Sequence, residues 1–155
     1  MNLQIKNNQK GFTIVELLIV IVVIAILAAI TIVAFNGIQN RAKASSAQSA
    51  ETTVIKKAEA YNSVNSSYPT TTTHLNSTST AEANLVGSGV TLVADITAAP
   101  TSPATVQYIS CGSGTGAKVT YWDYSTSAKA AYTYLGSATA ANCTATTGGL
   151  AGGPY

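Results

Sequence analysis

The pattern of hydrophobic positions opens on one long apolar stretch. From Leu17 to Asn40 no residue is charged, and the first half of this stretch is almost entirely Leu, Ile, Val and Ala. A run of about 20 apolar residues is long enough to cross a bilayer as a helix. The pattern therefore predicts a membrane-spanning helix over about residues 12–40.

Beyond Arg41 the pattern becomes amphipathic. Apolar residues recur at steps of three or four, as on one stripe of a helix; they are Ala47, Ala50, Val54, Ala58, Tyr61, Val64 and Tyr68. The other faces carry the charged residues Lys43, Glu51, Lys56, Lys57 and Glu59. No proline occurs between Phe12 and Tyr68. We therefore predict one long helix over residues 12–66, half spanning the membrane and half amphipathic.

The remaining residues, 67–155, have the pattern of a small β domain. Four segments rich in Val, Thr, Tyr and Ile are separated by Gly, Ser and Pro, and the last three are close enough for antiparallel hairpins; the segments are 89–94, 105–111, 117–124 and 130–135. The Thr- and Ser-rich residues 69–80, with His74, are interpreted as a solvated loop or a disordered linker. The predicted fold class is α+β, with the long helix packed on a small antiparallel sheet.

Charge changes this picture in two ways. Only 9% of the residues are charged, against about a quarter in an ordinary soluble domain. Two of the eight cationic residues, Lys6 and Lys10, precede the apolar stretch, so the rest of the chain carries six charges of each sign. This balance predicts no general attraction to nucleic acid. The two early lysines place the N-terminus in the cytoplasm and the β domain outside.

Two cysteines, Cys111 and Cys143, lie in the exported part. An oxidising compartment would join them, and the alternative is two buried free thiols in a reducing compartment. The β domain is poor in Leu, Ile and Phe, so its core is thin. In the chain-entropy model this disulfide would contribute about 3 to 4 kcal/mol to the free energy of unfolding.

The stretch from Lys10 to Val20, KGFTIVELLIV, carries the most specific pattern. An ordinary secretory signal is cleaved after its apolar region, whereas here the small residue Gly11 precedes it. The arrangement resembles the class III signal of type IV pilins and pseudopilins. That resemblance implies removal of the leader 1–11 by a prepilin peptidase, methylation of the new N-terminal residue Phe12, and a role in assembly for Glu16.

Two other interpretations of this segment stay open. One is an uncleaved membrane anchor with an isolated interfacial glutamate, and the other is an ordinary signal peptide cut near Ala28 or Ala34. The chain also departs from many pilins, with Val33 at a common proline position and Ala25 at a common glycine position. Any local melting of the helix would therefore centre on Gly37 and the polar Asn36, because glycine weakens a helix interior by about 1 kcal/mol. The alternative is that the helix stays continuous.

The resemblance implies a structural subunit of a type IV pilus and not an enzyme. Such a subunit is a single-pass protein of the cytoplasmic membrane before assembly. It then joins copies of itself and other pilins in a surface filament for adhesion, motility or DNA uptake. A membrane platform protein and an assembly ATPase are the implied partners. The alternative within the family is a pseudopilin of a type II secretion or competence system.

Candidate chemistry is sparse. The single histidine, His74, excludes a multi-histidine metal site or a Ser/His/Asp arrangement within one chain, and we expect no metal or cofactor. The acids Glu82, Asp95 and Asp123 are too scattered to predict a calcium loop. An aromatic row could form a stacking platform in a membrane-anchored carbohydrate- or nucleic-acid-binding module, or simply alternate between core and surface; it comprises Tyr121, Trp122, Tyr124, Tyr132 and Tyr134.

Overall fold

The computed structural model describes residues 11–76, 83–146 and 148–155, which form an α+β protein. Two compact units are present, one up to Ile38 and one from Gln39 onwards. The predicted α+β class is confirmed. The predicted leader lies outside the described residues, apart from Gly11.

One helix, α1 (Ile14–Asn65), contributes to both units. In the first unit all of its residues are exposed, and its most apolar 18-residue window has a mean hydropathy of 3.4. This helix is long and apolar enough to cross a membrane. Gly37 lies inside α1 and does not interrupt it, so the helix is continuous there.

In the second unit α1 buries one face against the sheet. The buried residues are Ala47, Ala50, Glu51, Val54, Ala58 and Tyr61. Two stripe predictions were wrong: Val64 is 63% exposed, in the last turn of α1, and Tyr68 is buried but lies beyond the helix. Glu51 was expected on one of the other faces of the helix, yet it is buried because it lies four residues after Ala47 and three before Val54.

The sheet consists of five short strands. They are β1 (Thr91–Val93), β2 (Thr105–Cys111), β3 (Gly116–Asp123), β4 (Ala128–Lys129) and β5 (Thr133–Gly136). The strand order is β1-β2-β3-β4, and β5 pairs with β3. All pairings of β3 are antiparallel, as predicted, but β1 lies parallel to β2 and makes the sheet mixed. The pairing is parallel because residues 94–104 bring the chain back to the end of the sheet where β1 starts, so that β2 runs in the same direction as β1.

Alternation along the strands separates two faces of the sheet. The face toward α1 contributes the core residues Val106, Tyr108, Ala117, Val119 and Leu135, which cluster with Val54 of the helix. The opposite, outer face carries Gln107, Lys118, Thr120 and Trp122. A second small cluster joins Cys111, Ala138 and Cys143.

The segment after α1 is more ordered than predicted. A short helix, α2 (Thr72–Asn76), anchors itself through fully buried Leu75. His74 stacks on Tyr61 with ring centroids 4.9 Å apart, and its Nδ1 accepts a hydrogen bond from the Thr70 N–H at 3.3 Å. The prediction of a solvated loop was therefore wrong for these residues. Residues 77–80 of that predicted loop, and Glu82, lie outside the described residues.

Candidate functional site

The start of α1 is a reciprocal capping box. The Thr13 N–H donates to Oε2 of Glu16 at 2.9 Å, and the Thr13 hydroxyl donates to the same oxygen at 2.7 Å. In return, the Glu16 N–H donates to Oγ1 of Thr13 at 3.2 Å. This arrangement satisfies N–H groups that have no partner inside the helix. The Glu16 carboxylate also lies in the first turn, where the helix dipole favours a negative charge.

The capping box gives the Glu16 carboxylate hydrogen-bond partners within its own chain. While residue 11 is still joined to Phe12, there is no free amine at Phe12 that could pair with the Glu16 carboxylate. Thr13 supplies the carboxylate with hydrogen bonds in the meantime. Thr13 was not among the predicted site residues, although a threonine three residues before a glutamate at the start of an apolar run is a known capping signal.

The Gly11–Phe12 bond lies in exposed chain just before α1 begins at Ile14. The Phe12 side chain is 90% exposed, and no neighbouring atom lies within 4 Å of the position that a Cβ would take on Gly11. Nothing in the described chain therefore covers the bond that a peptidase would cut. Cleavage after Gly11 and methylation of Phe12 stay predictions.

Cys111 and Cys143 form a disulfide, with their Cα atoms 5.5 Å apart. A buried cation holds the same region: the Lys118 ammonium donates to the Cys143 carbonyl at 2.6 Å and lies 4.3 Å from the centre of the Tyr132 ring. Burial lowers the pKa of Lys118, and repulsion from Lys129 lowers it further. One covalent bond and one charged group thus attach the chain around Cys143 to the sheet.

A second polar cluster lies on the outer face of the sheet. The Lys129 ammonium pairs with Asp95 at 2.9 Å, which holds the pKa of the Asp95 carboxyl below its usual range. The fully buried Gln107 side chain donates to the carbonyls of Ala94 and Thr146 at 2.8 and 2.9 Å. These bonds connect β2 to chain segments far away in the sequence, which indicates a structural role for the cluster.

The aromatic row is divided between the two faces of the sheet. Tyr121 lines a cavity of about 320 Å³ beside α1, whereas Trp122 is half-buried on the outer face. Lys118 and Lys129 lie over the Tyr132 ring, 4.3 and 5.9 Å from its centre. Trp122 is therefore not buried against the helix. The Tyr132 ring, however, is covered by the two ammonium groups, whereas a stacked sugar or base would need that ring to be free.

The described residues contain no group of three or more His, Cys, Asp or Glu side chains that could hold a metal ion. The disulfide, the capping box and the exposed apolar helix are thus the features that bear on function.

Comparison with protein families gives one match: the prokaryotic N-terminal methylation motif, at residues 6–32. The chain therefore carries the class III signal that is characteristic of type IV pilins and pseudopilins. In general, proteins with this signal are processed by a prepilin peptidase and assembled into filaments. Gly11, Phe12 and Glu16 all lie within the matched residues. No curated protein and no solved structure matches the chain.

Proposed function

We propose that this protein is a structural, non-catalytic subunit of a type IV pilus. The match to the methylation motif carries the proposal, because that signal leaves an apolar helix on the mature protein. The first unit of the structure is such a helix, and its apolar side chains are exposed throughout. An exposed apolar surface of this kind is unfavourable in water, so it requires contact with lipid before assembly and with other subunits after assembly.

In this proposal α1 holds the precursor as a single-pass anchor with its N-terminus in the cytoplasm. A prepilin peptidase removes residues 1–11 and leaves the apolar helix in the bilayer. A membrane platform protein and an ATPase then transfer the subunit into the filament, where the apolar side chains of neighbouring helices replace lipid. The exported second unit forms the surface, which serves adhesion, motility or DNA uptake.

Glu16 has a defined part in this transfer. An acidic side chain at a bilayer centre costs about 2.5 to 3.5 kcal/mol on insertion scales, and less near the edge. The Thr13 hydrogen bonds reduce that cost in the precursor. Cleavage then creates a cationic amine at Phe12. An incoming amine can pair with the Glu16 carboxylate of a subunit already in the filament, and a low dielectric strengthens the pair.

A pseudopilin of a type II secretion or competence system is the second candidate, since both kinds of protein carry the signal. The disulfide, together with the lack of an acidic cluster among the described residues, favours the pilus. Filaments sheared from cells distinguish the candidates when they are analysed by electron microscopy and mass spectrometry. We expect long surface filaments whose main subunit begins at Phe12 and carries one methyl group on its amine. An intact leader on filament-derived protein, or an N-terminus beyond Ala28, would contradict the proposal.

The docking role of Glu16 is tested by Glu16→Gln as the sole subunit. Glutamine can still accept the Thr13 hydrogen bonds at this capping position, so the substitution removes the charge and keeps the cap. We expect normal membrane insertion and leader removal, and filament formation that is abolished or sharply reduced.

Two variants control this experiment. Glu59→Gln removes a charge from the exported part of α1 and should leave filament numbers unchanged. Thr13→Ala removes the cap and keeps the charge, so it shows what the loss of the cap alone does to insertion. Normal filament numbers from the Glu16→Gln strain would mean that the carboxylate has no docking role.

A further inference from the structure

The C-terminal strap, residues 148–155, forms an additional edge of the sheet. Its Gly152 and Leu92 of β1 exchange two backbone hydrogen bonds, of 2.8 and 2.9 Å, in antiparallel pairing. Tyr155 exchanges two more with the segment before β1, donating to Val90 at 3.0 Å and accepting from Gly89 at 2.6 Å. The strap therefore occupies the β1 edge, which we define as the backbone of residues 89–94 on the side away from β2.

The strap also bonds beyond the end of β1. The Gly149 N–H donates to the Ala94 carbonyl and the Leu150 N–H donates to the Tyr108 carbonyl of β2, both at 2.9 Å. The side chains of Leu150 and Tyr155 pack against the main core. Six backbone hydrogen bonds and two apolar anchors thus hold the strap, and none of its side chains is charged.

Close backbone contacts make this edge selective for glycine. A Cβ on Gly149 would lie 2.7 Å from the Tyr108 carbonyl oxygen, a distance that a side chain cannot adopt without displacing backbone. Gly153 has a φ of +109°, which other residues rarely adopt, and a Cβ there would lie 3.0 Å from the Val90 oxygen. Ala151, in contrast, is exposed. The strap sequence GGLAGGPY therefore fits the edge in a way that few other sequences would.

Among the described residues, no cross-link holds the strap against the sheet. The disulfide ends at Cys143, and the exposed residues 144–146 that follow have no regular secondary structure. An edge that is recognised through backbone hydrogen bonds and two anchors can accept the same segment from a second molecule, as in strand addition and domain swapping.

We propose that the β1 edge is a peptide-binding site for the glycine-rich strap, and that straps exchange between copies of this chain to link them. The partner is a second copy, because only this sequence is shown to satisfy the edge. The proposed link involves neither α1 nor the Glu16 charge, so experiments can test it separately from the pilus proposal.

The test uses the chain truncated after residue 147, in detergent micelles, with synthetic peptides. We expect the truncated chain to have a lower melting temperature or to be unfolded, and the peptide GGLAGGPY to restore the melting transition of the full chain. A peptide with Gly149→Ala should bind at least about tenfold more weakly, because the added methyl group overlaps a carbonyl. A peptide with Ala151→Ser is the matched control and should bind like the natural sequence.

Exchange between copies is tested by mixing tagged truncated chain with untagged full chain. We expect the full chain to co-purify with the tagged chain, and excess GGLAGGPY to release it. Full chain carrying Gly149→Ala should not co-purify, although its α1 is unchanged, so association through the apolar helices is controlled. Failure of the natural peptide to restore stability, or equal rescue by the Gly149→Ala peptide, overturns the site. Rescue by the peptide without specific co-purification overturns the exchange.

Discussion

At the scale of single residues, Glu51 is the side chain whose environment is most unusual. It lies on the buried face of α1, 7% exposed, and its carboxylate accepts one hydrogen bond from the Thr133 hydroxyl at 2.8 Å. Burial raises its pKa above the ordinary value, and the Thr133 hydrogen bond offsets part of that shift. Burial raises the pKa of the neighbouring Tyr121 phenol, and the negative charge of Glu51 raises it further.

The raised pKa makes the stability of the second unit dependent on pH. The folded chain binds the Glu51 proton more tightly than the unfolded chain, so this contribution is fully present below the ordinary value of 4.5 and is lost as pH rises through the folded pKa. We therefore expect Glu51→Gln to be more stable than the wild type at pH 7, with the difference shrinking toward pH 4. Thermal unfolding across this range measures it. Glu59→Gln is the control at an exposed position, where glutamine can still accept the hydrogen bond that the Tyr68 hydroxyl donates at 2.9 Å, and equal shifts in both variants would contradict the assignment.

Only some of the functional and buried residues could be predicted from the sequence. Gly11, Phe12 and Glu16 could be singled out because their spacing is local. The Thr13 cap was equally local and could have been found in the same way. The burial of Glu51 follows from its helical spacing from Ala47 and Val54, but its partner Thr133, 82 residues away in the sequence, could not have been found in this way.

At the scale of elements, the long helix and the two central strands were the most predictable parts. β2 covers the predicted residues 105–111, and β3 is shifted by one residue from 117–124. Both strands lie in the middle of the sheet and show strong apolar alternation. The two-residue β4 and the parallel placement of β1 were missed, because short strands are defined by non-local partners.

The disulfide matters most at this scale, because it ties the end of β2 to the C-terminal segment. We expect Cys143→Ser to lower the free energy of unfolding by about 3 to 4 kcal/mol in the chain-entropy model. Urea unfolding and protease sensitivity of the second unit measure the effect. The double variant Cys111→Ser/Cys143→Ser should behave similarly, since neither variant can form the bond. Unchanged unfolding midpoints in both variants would show that the disulfide does not stabilise the domain.

At the scale of the whole molecule, the two units are suited to different surroundings. In the first unit α1 exposes only apolar and small side chains between Leu17 and Asn36, apart from Thr31, whereas the second unit buries a core of its own. The division was visible in the hydrophobic pattern, since it depends on composition over long stretches. The C-terminal strap could not be predicted from this pattern, because its glycines resemble those of a disordered tail. Only the structure shows the backbone atoms that lie close to them.

The Cys111–Cys143 disulfide has a mechanical consequence for the proposed filament. Its two cysteines are 32 residues apart in the sequence. Under tension the enclosed chain cannot extend, so about 110 Å of contour length stays unavailable at about 3.5 Å per residue. We expect single-molecule pulling on the second unit to give an unfolding step about 110 Å longer after reduction than before. A step of the same length in both states would mean that the bond is not intact in the folded protein. With the bond closed, the unfolded second unit lengthens under load by about 110 Å less than its residue count allows.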